Sequence, residues 1–131
     1  MEPEDVVHVL RNMVAAVKPG GVVLDLQVLT VNPRAEAGGR LVCELDGTPL
    51  FLKAEVATAA VDASVAAGRL VEEAVDDHDV LKHYAHGADL VDDWARSGRR
   101  PLGLSDEELR SFDKPCVTRE RCRLRRLRRT S

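Results

Sequence analysis

The sequence predicts an α/β fold, made of one modest domain over residues 1–131. Two observations predict it. Segments with helical apolar spacing alternate with short, β-branched apolar runs, and 44% hydrophobic with 31% charged residues is a composition typical of globular proteins. A chain of this size buries roughly two-thirds of its unfolded surface, which is enough for a hydrophobic core. We therefore expect a mixed chain of helices with few strands.

The first helix is predicted from residue 4 to residue 18. Its apolar residues recur at helical spacing (Val6, Val9, Leu10, Met13, Val14 and Val17). Pro19, Gly20 and Gly21 then end the helix and form a turn. The next segment, 22–31, is rich in β-branched and leucine residues, which predicts a strand with both faces buried.

The middle of the chain predicts a small hairpin or flap followed by a helix. Residues 32–40 are expected to be a loop, and the runs 40–45 and 50–52 flank the turn signal Asp46-Gly47. The alanine-rich segment 53–70 predicts a helix. A strand is predicted from residue 70 onward. Residues 78–84 either extend this strand or curl away from it.

The last third predicts two short helices and an ambiguous end. Residues 87–97 place Leu90, Val91 and Trp94 on one helical face. Ser105 with Glu108 has the spacing of a capping box, which starts a helix over 105–112. The segment 121–129 alternates like a strand at first, but Leu127 suits a helix, so both structures remain open.

Charge is strongly segregated along the chain. From residue 114 onward there are eight basic residues and one acidic residue, a net charge of +7, whereas residues 1–113 carry −10. The basic end is consistent with a nucleic-acid-binding tail, with a disordered tail, or with a last strand whose arginines pair with the acidic strand at 72–79. We favour the third interpretation because it accounts for both charges at once. The acidic balance of the whole chain argues against nucleic-acid binding.

Several kinds of chemistry lack their sequence signal. No glycine-rich nucleotide motif, nucleophile elbow or HExxH zinc motif is present. The three cysteines, Cys43, Cys116 and Cys122, have no zinc or disulfide spacing, which predicts free thiols in a reducing compartment. His78, His83 and His86 with nearby aspartates could serve as metal ligands or as acid–base groups, but no second cluster completes a metal site. We expect no metal.

No apolar run approaches the ~18 residues of a membrane span, and the acidic N-terminus is unlike a secretory signal. We therefore expect a cytoplasmic protein without membrane attachment.

The helix "VVHVLRNMVAAV", the turn "KPGG" and the strand "VVLDLQVL" resemble a unit of class I S-adenosylmethionine-dependent methyltransferases, in which an amphipathic helix ends in such a turn and leads into the fifth strand. The segment 67–94 resembles the sixth-strand region with its following helix. The end "TRERCRLRRLRRT" resembles the closing seventh strand, which in that family runs antiparallel between the fifth and sixth. The resemblance covers nearly the whole chain, and the unit at residues 6–29 is its most specific part.

The resemblance implies a partial Rossmann-like sheet, mixed parallel and antiparallel, that corresponds to the C-terminal half of such an enzyme. Pro19, Gly20 and Gly21 match the turn, and residues 22–29 match the fifth strand. The family's glycine-rich cofactor motif has no counterpart in this chain. S-adenosylmethionine is thus implied by the family alone, and we expect no binding of it by this chain by itself.

Three functional hypotheses follow. The first is a truncated, methyltransferase-like chain, inactive alone, with substrate contacts around His78, His83, Tyr84 and His86. The second is a non-catalytic interaction module that self-associates, as a dimer or larger oligomer, through the strand edge at 22–31. The third is a nucleic-acid binder that uses its arginine tail. A second copy of the chain or a separate cofactor-binding chain would be the partner, because the fifth strand would otherwise lack a neighbour on one side.

Overall fold

The computed structural model describes residues 3–130, and it describes side chains from residue 8 onward. Over residues 3–130 the chain is an α/β protein with four helices and six strands. In chain order these are α1 (Pro3–Ala16), β1 (Val22–Val28), β2 (Arg34–Ala37), β3 (Arg40–Leu45), α2 (Thr48–Ala66), β4 (Leu70–Tyr84), α3 (Gly87–Ala95), β5 (Pro101–Leu102), α4 (Asp106–Arg110) and β6 (Cys116–Arg129). Among the described residues, no helix is long and apolar enough to cross a membrane.

The six strands form an open, mostly antiparallel sheet. The strand order is β1-β6-β2-β3-β5, and β4 also pairs with β6. β1 is antiparallel to β6, with Val22 opposite Arg128 and Val28 opposite Cys122. β2 is antiparallel to both β3 and β6, and β3 to β5. The α/β class was correctly predicted, but a mixed parallel and antiparallel, Rossmann-like sheet is not supported, because these pairings are antiparallel.

The contacts divide the described chain into two compact units. Unit 1 contains residues 3–29, 51–78 and 122–130, and unit 2 contains residues 30–50 and 79–121. The core of unit 1 joins the two long helices to the sheet through Val23, Val61, Leu70 and Leu127, flanked by Leu10, Val14, Val17 and Val65. Leu10, Val14 and Val17 confirm part of the apolar stripe predicted for the first helix, whereas Val9 and Met13 of the same stripe are exposed. The side chain of Val6, predicted on the same stripe, lies outside the described residues.

The core of unit 2 is built around Trp94 and the two short helices. Its buried members are Ala35, Cys43, Leu45, Tyr84, Leu90, Val91, Trp94, Leu109 and Cys116. The predicted face of α3, with Leu90, Val91 and Trp94, is confirmed as buried. The predicted capping box is also present, since the Ser105 side chain accepts a hydrogen bond from the Glu108 backbone N–H.

Two predictions for the middle of the chain were wrong. Residues 50–52 are not the second strand of a hairpin, because α2 begins already at Thr48 and includes them. The Asp46 side chain accepts the Thr48 N–H, and Pro49 lies in the first helical turn, where its missing N–H costs nothing. Residues 34–37 are a strand rather than part of a loop, since β3 and β6 pair with them on either side.

The two ambiguous segments both resolve as strands. β4 continues without interruption from Leu70 to Tyr84, so residues 78–84 extend the strand. The basic segment belongs to β6, and Leu127 is fully buried in the core of unit 1. Apolar burial at one end and ion pairing along the remainder explain why periodicity did not distinguish strand from helix.

Candidate functional site

The predicted pocket residues His78, His83, Tyr84 and His86 lie along the second half of β4 and the start of α3, and only Tyr84 is buried. His78 Nδ1 lies 3.0 Å from Asp76 Oδ2 but outside hydrogen-bond geometry. His86 Nδ1 lies 2.9 Å from Asp113 Oδ1 at an exposed position, and His83 is exposed as well. The structure therefore does not bring the three histidines together around a cleft.

Tyr84 belongs instead to a hydrogen-bond network inside unit 2. Its hydroxyl donates to Asp93 Oδ2 at 2.5 Å and accepts from the indole Nε1 of Trp94 at 2.9 Å. Lys82 Nζ reaches the same Asp93 oxygen at 2.6 Å. Alternation along β4 places residues 82 and 84 on one side of the strand, and one helical turn of α3 presents residues 93 and 94 to them. We call these four residues the Tyr84 network.

The Tyr84 network forms one wall of an open cleft of about 380 Å³. A second wall is basic: the Arg99 guanidinium stacks on the Trp94 ring at 3.8 Å and pairs with Glu120 at 2.7 Å. The cleft is lined by Val80, Lys82, Tyr84, Asp93, Trp94, Arg96, Ser97, Arg99, Thr118 and Glu120. Three cationic and two anionic side chains in so small a space suit a polar ligand.

The network fixes the proton positions in the cleft. Burial and the hydrogen bond to Asp93 raise the pKa of Tyr84 to about 12, so the phenol is protonated at neutral pH. Hydrogen bonds from Lys82 and Tyr84 lower the pKa of Asp93, so this carboxylate is charged. Because the Asp93 carboxylate already accepts two hydrogen bonds, it is a weak base. The arrangement is therefore better suited to orienting a polar ligand than to removing a proton from one.

Sequence reasoning found Tyr84 but missed Lys82, Asp93 and Arg99 as its neighbours. A usable signal existed. Tyr84 and Trp94 are the only tyrosine and the only tryptophan in the chain. Both occur next to apolar residues, and a buried phenol or indole needs a hydrogen-bond partner. The pairing itself depends on how α3 packs against β4, which periodicity does not show.

The basic end of the chain is matched by acids on β4, as predicted. Arg123 pairs with Asp77 at 2.8 Å, and Arg126 and Arg128 both pair with Glu73, at 3.1 and 2.8 Å. Asp79 in unit 2 pairs with Arg119 and Arg121. These contacts lower the pKa of Glu73, chiefly through Arg128, and that of Asp79, chiefly through Arg119. We call these ion pairs between arginines of β6 and acids of β4 the arginine ladder.

Arg125 is the buried member of the arginine ladder. Its guanidinium contacts Glu72 at 2.5 Å and Asp62 of α2 at 2.8 Å. Arg129 donates to the backbone carbonyl groups of Ala15 and Val17 at the end of α1. Each arginine from 119 to 129 thus already contacts a carboxylate or a carbonyl oxygen.

β1 presents an exposed apolar row at the edge of unit 1. Leu24 and Leu26 are 61% and 53% exposed, and β6 is the one strand that pairs with β1 among the described residues. On the other face Gln27 Nε2 donates to Asp25 Oδ1 at 2.8 Å. Asp25 Oδ2 is buried and has no hydrogen-bond partner among the described residues. This edge is the second candidate functional surface.

The thiols show no sign of reactivity. The three cysteines are buried, and among the described residues they form no disulfide, as predicted. Burial raises the pKa of both Cys43 and Cys116, which keeps them in the unreactive thiol form. Among the side chains that the structure describes, from residue 8 to residue 130, no group of three His, Cys, Asp or Glu is arranged to hold a metal ion.

The described residues do not fit S-adenosylmethionine. A class I cofactor loop needs open glycines between a strand and a helix, with free N–H groups. Three described glycines occupy such junctions: Gly47, Gly87 and Gly103. Gly103 is exposed, but it lies between a strand of two residues and a helix of five, which is too short to offer an anion site at its N-terminus. The other two are buried and used internally. The Gly47 N–H donates to Asn32 Oδ1 at 3.1 Å, and the Gly87 N–H donates to the Phe112 carbonyl at 2.9 Å. A Cβ at Gly87 would lie 1.9 Å from the Leu109 carbonyl oxygen, so this site is filled by the protein itself.

Comparison with protein-family models, with curated proteins and with solved structures finds no match for this chain.

Proposed function

We propose that this chain is a methyltransferase-like protein, equivalent to the substrate-side half of an S-adenosylmethionine-dependent enzyme and inactive alone. The observation that carries the proposal is the position of the last strand. β6 lies between β1 and β4 and is antiparallel to β1. The resemblance to class I methyltransferases implies this order for the fifth, seventh and sixth strands. A partial Rossmann-like sheet is the corresponding proposal for the ancestry of the fold.

The turn before β1 supports the same proposal. Gly20 has a positive φ of 80°, which a side chain would strain. Gly21 has no room for a Cβ, which would lie 2.5 Å from a Val17 methyl group. The Gly20 N–H also donates to the Arg129 carbonyl at 2.8 Å. The Pro19-Gly20-Gly21 turn therefore joins the helix end to both the first and the last strand of unit 1.

In this proposal the cofactor belongs to a separate chain. S-adenosylmethionine would supply an electrophilic methyl group, and no described residue of this chain is placed to hold it. What this chain contributes is a polar cleft. The exposed cations Lys82 and Arg96 attract an anionic ligand, and Tyr84 with Asp93 offers hydrogen bonds to a hydroxyl group. We propose a small, hydroxylated, anionic molecule as the methyl acceptor.

Calorimetry and fluorescence test the two halves of the proposal. Titration of the chain with S-adenosylmethionine should give no binding heat, and measurable binding would contradict the absence of a cofactor site. Trp94, as the only tryptophan, reports on the cleft by its emission. We expect small hydroxylated carboxylic acids to change this emission, and Arg96→Ala to weaken the response about tenfold. Arg40→Ala, on β3 and outside the cleft lining, is the matched control. An equal response from both variants would contradict the cleft as the site.

A second candidate function is that of an interaction module that uses the strand edge at 22–31. The exposure of Leu24 and Leu26 favours it, because soluble proteins normally cover or charge such an edge. The nucleic-acid hypothesis gains no support, since the arginines of β6 already contact acids or carbonyl groups. Salt-dependent binding to a generic duplex would revive it.

A further inference from the structure

We propose that β1 pairs with β1 of a second copy of this chain, antiparallel and centred on Leu26, so that the sheet continues across a two-fold axis. The inference rests on the second proposed function, the strand edge as an interaction surface, and it names the partner and the register. It is independent of methyltransferase ancestry.

Among the described residues, β6 is the one strand that pairs with β1, so the other backbone edge of β1 has no strand beside it. The Arg129 N–H of β6 donates to the Gly21 carbonyl. Every second residue along β1 has the same orientation, so the backbone N–H and C=O groups of Val23, Asp25 and Gln27 also point toward β6. In an antiparallel pair, alternate residues direct their N–H and C=O groups to opposite sides. The backbone groups of Leu24, Leu26 and Val28 therefore point away from β6. These groups are available to a new strand.

The sequence of β1 is complementary to itself in one antiparallel register. With Leu26 opposite Leu26 of the second copy, Leu24 faces Val28 and Asp25 faces Gln27. The outward backbone groups then meet in hydrogen-bonded pairs. Centring on Asp25 would place two like charges opposite each other, which is destabilising. Centring on Leu24 would instead place Asp25 opposite Val23.

The Leu26 register also supplies the missing partner of Asp25. Oδ1 already accepts from Gln27 of the same chain at 2.8 Å, whereas the buried Oδ2 has no partner among the described residues. Each Gln27 amide has a second N–H. In the dimer that N–H would donate to Asp25 Oδ2 of the other copy. Two such hydrogen bonds form per dimer because the interface is symmetric.

Apolar side chains extend the complementarity on both faces. On one face, Leu24 and Leu26 would lose their exposure against the other copy. On the other face, α1 brings exposed Val9 and Met13 to a shallow cleft of about 130 Å³ that Asp25 and Gln27 also line. The partner's residues at this edge would extend the walls of this cleft. A second copy therefore covers the apolar row, the free backbone groups and the unpaired carboxylate oxygen.

Sedimentation equilibrium over a wide range of protein concentration tests the proposal. The wild-type chain should show a monomer–dimer equilibrium. Leu26→Lys places two ammonium groups at the two-fold axis and should weaken association at least about 100-fold. Leu52→Lys changes a leucine of similar exposure, 60%, on α2 and should leave association unchanged. Circular dichroism of both variants establishes that each is folded.

A third variant tests the register. Gln27→Glu places a carboxylate opposite Asp25 of the other copy and should weaken the dimer about tenfold, and Gln27→Lys should strengthen it. A wild-type chain that stays monomeric at every concentration overturns the proposal. So does equal association by the Leu26→Lys and Leu52→Lys variants. If the monomer instead binds a different polypeptide and Leu26→Lys abolishes that complex, the strand edge is confirmed as an interaction surface and the second copy is excluded as its partner.

Discussion

The only tyrosine and the only tryptophan of the chain are joined by a hydrogen bond. Trp94 donates to the Tyr84 hydroxyl, which in turn donates to Asp93. The pair places two large rings in the core of unit 2, whose other buried members are alanine, cysteine, leucine and valine side chains. Because neither ring has a spectroscopic counterpart elsewhere in the chain, each is a specific probe of unit 2.

Titration of Tyr84 is the first prediction at the residue scale. Its pKa of about 12 lies above the value of about 10 for an unfolded tyrosine. The stability from the neutral phenol is therefore complete below about pH 10 and is lost as the pH rises toward about 12. We expect the tyrosinate absorbance of the folded chain to rise near pH 12. Asp93→Asn removes an anion that raises this pKa and should shift the rise toward pH 10.

The control for this titration is Asp92→Asn. Asp92 contacts Arg110 rather than Tyr84, and it carries the same charge one residue away. Its substitution should leave the tyrosinate transition in place. A wild-type midpoint near pH 10, with the chain still folded by circular dichroism, would contradict the hydrogen bond to Asp93.

The second prediction concerns Gly87, the first residue of α3 after β4. A Cβ at this position would lie 1.9 Å from the Leu109 carbonyl oxygen, a backbone atom that cannot rotate away. Gly87→Ala should therefore lower the free energy of unfolding by about 3 kcal/mol. Gly103→Ala, at a φ of 78° with no atom near the new Cβ, should cost about 1 kcal/mol. Urea unfolding of both variants measures the difference, and similar losses would contradict the close contact between Gly87 and α4.

At this scale the sequence predicted some of the site. Tyr84 was named with the three histidines as a pocket residue, and it lines the cleft with Lys82 and Asp93. The three histidines near it were not brought together. β4 is continuous, so His78 and His83 are separated along an extended strand rather than folded back on each other. The partner Asp93 depends on helix packing, and spacing along the chain contains no information on that packing.

Among the elements, β4 and β6 are held together by charge as well as by backbone hydrogen bonds. Arg119, Arg121, Arg123, Arg125, Arg126 and Arg128 contact acids of β4. Exposed ion pairs individually contribute little, since water and salt screen them. Because there are several of them, the stability of the β4–β6 pair should depend on pH and salt, which would not be so for a pair held by apolar side chains.

Acid should therefore weaken unit 1. Arg128 and Arg126 hold the pKa of Glu73 below its ordinary value, so its contribution is present above the unfolded pKa of about 4.3 and is lost as the pH falls through the folded pKa. We expect the melting temperature to fall steeply below about pH 4. Glu73→Gln should lower stability at pH 6 and flatten this acid dependence.

Glu55→Gln on the exposed side of α2 is the matched control, and its acid dependence should follow the wild type. High salt should reduce the difference between Glu73→Gln and wild type at pH 6. An identical pH profile for the Glu73→Gln chain and the wild type would contradict a role for the arginine ladder in holding β4 to β6.

The elements were predictable where one force dominated. α1, α3 and α4 have clear apolar stripes or caps, and the charge asymmetry correctly predicted the pairing of the basic end with the acidic strand. Residues 34–37 were missed because arginine, alanine and glutamate give no strand signal, and pairing on both sides supplies the stability instead. The start of α2 was missed because Asp46-Gly47 is a turn signal for hairpins and also a sequence that precedes helices.

For the whole molecule, the decisive feature is an antiparallel sheet with an unpaired, leucine-bearing edge. The fold class was predictable from alternating helical and strand patterns. The strand order was implied by a resemblance and not by composition. The mixed parallel and antiparallel, Rossmann-like sheet is not supported, because the described sheet is mostly antiparallel and β2 pairs antiparallel with both β3 and β6. Both proposed functions lead to the same expectation, that another chain pairs with β1.

Amide hydrogen exchange along β1, followed as a function of protein concentration, tests this expectation most directly. The N–H groups of Val23, Asp25 and Gln27 face β6 and should be protected at every concentration. Those of Leu24, Leu26 and Val28 face the free edge and should become protected as the concentration of the chain rises. Fast exchange of Leu24, Leu26 and Val28 at all concentrations, in a chain that remains monomeric, would contradict pairing of β1 with a second copy.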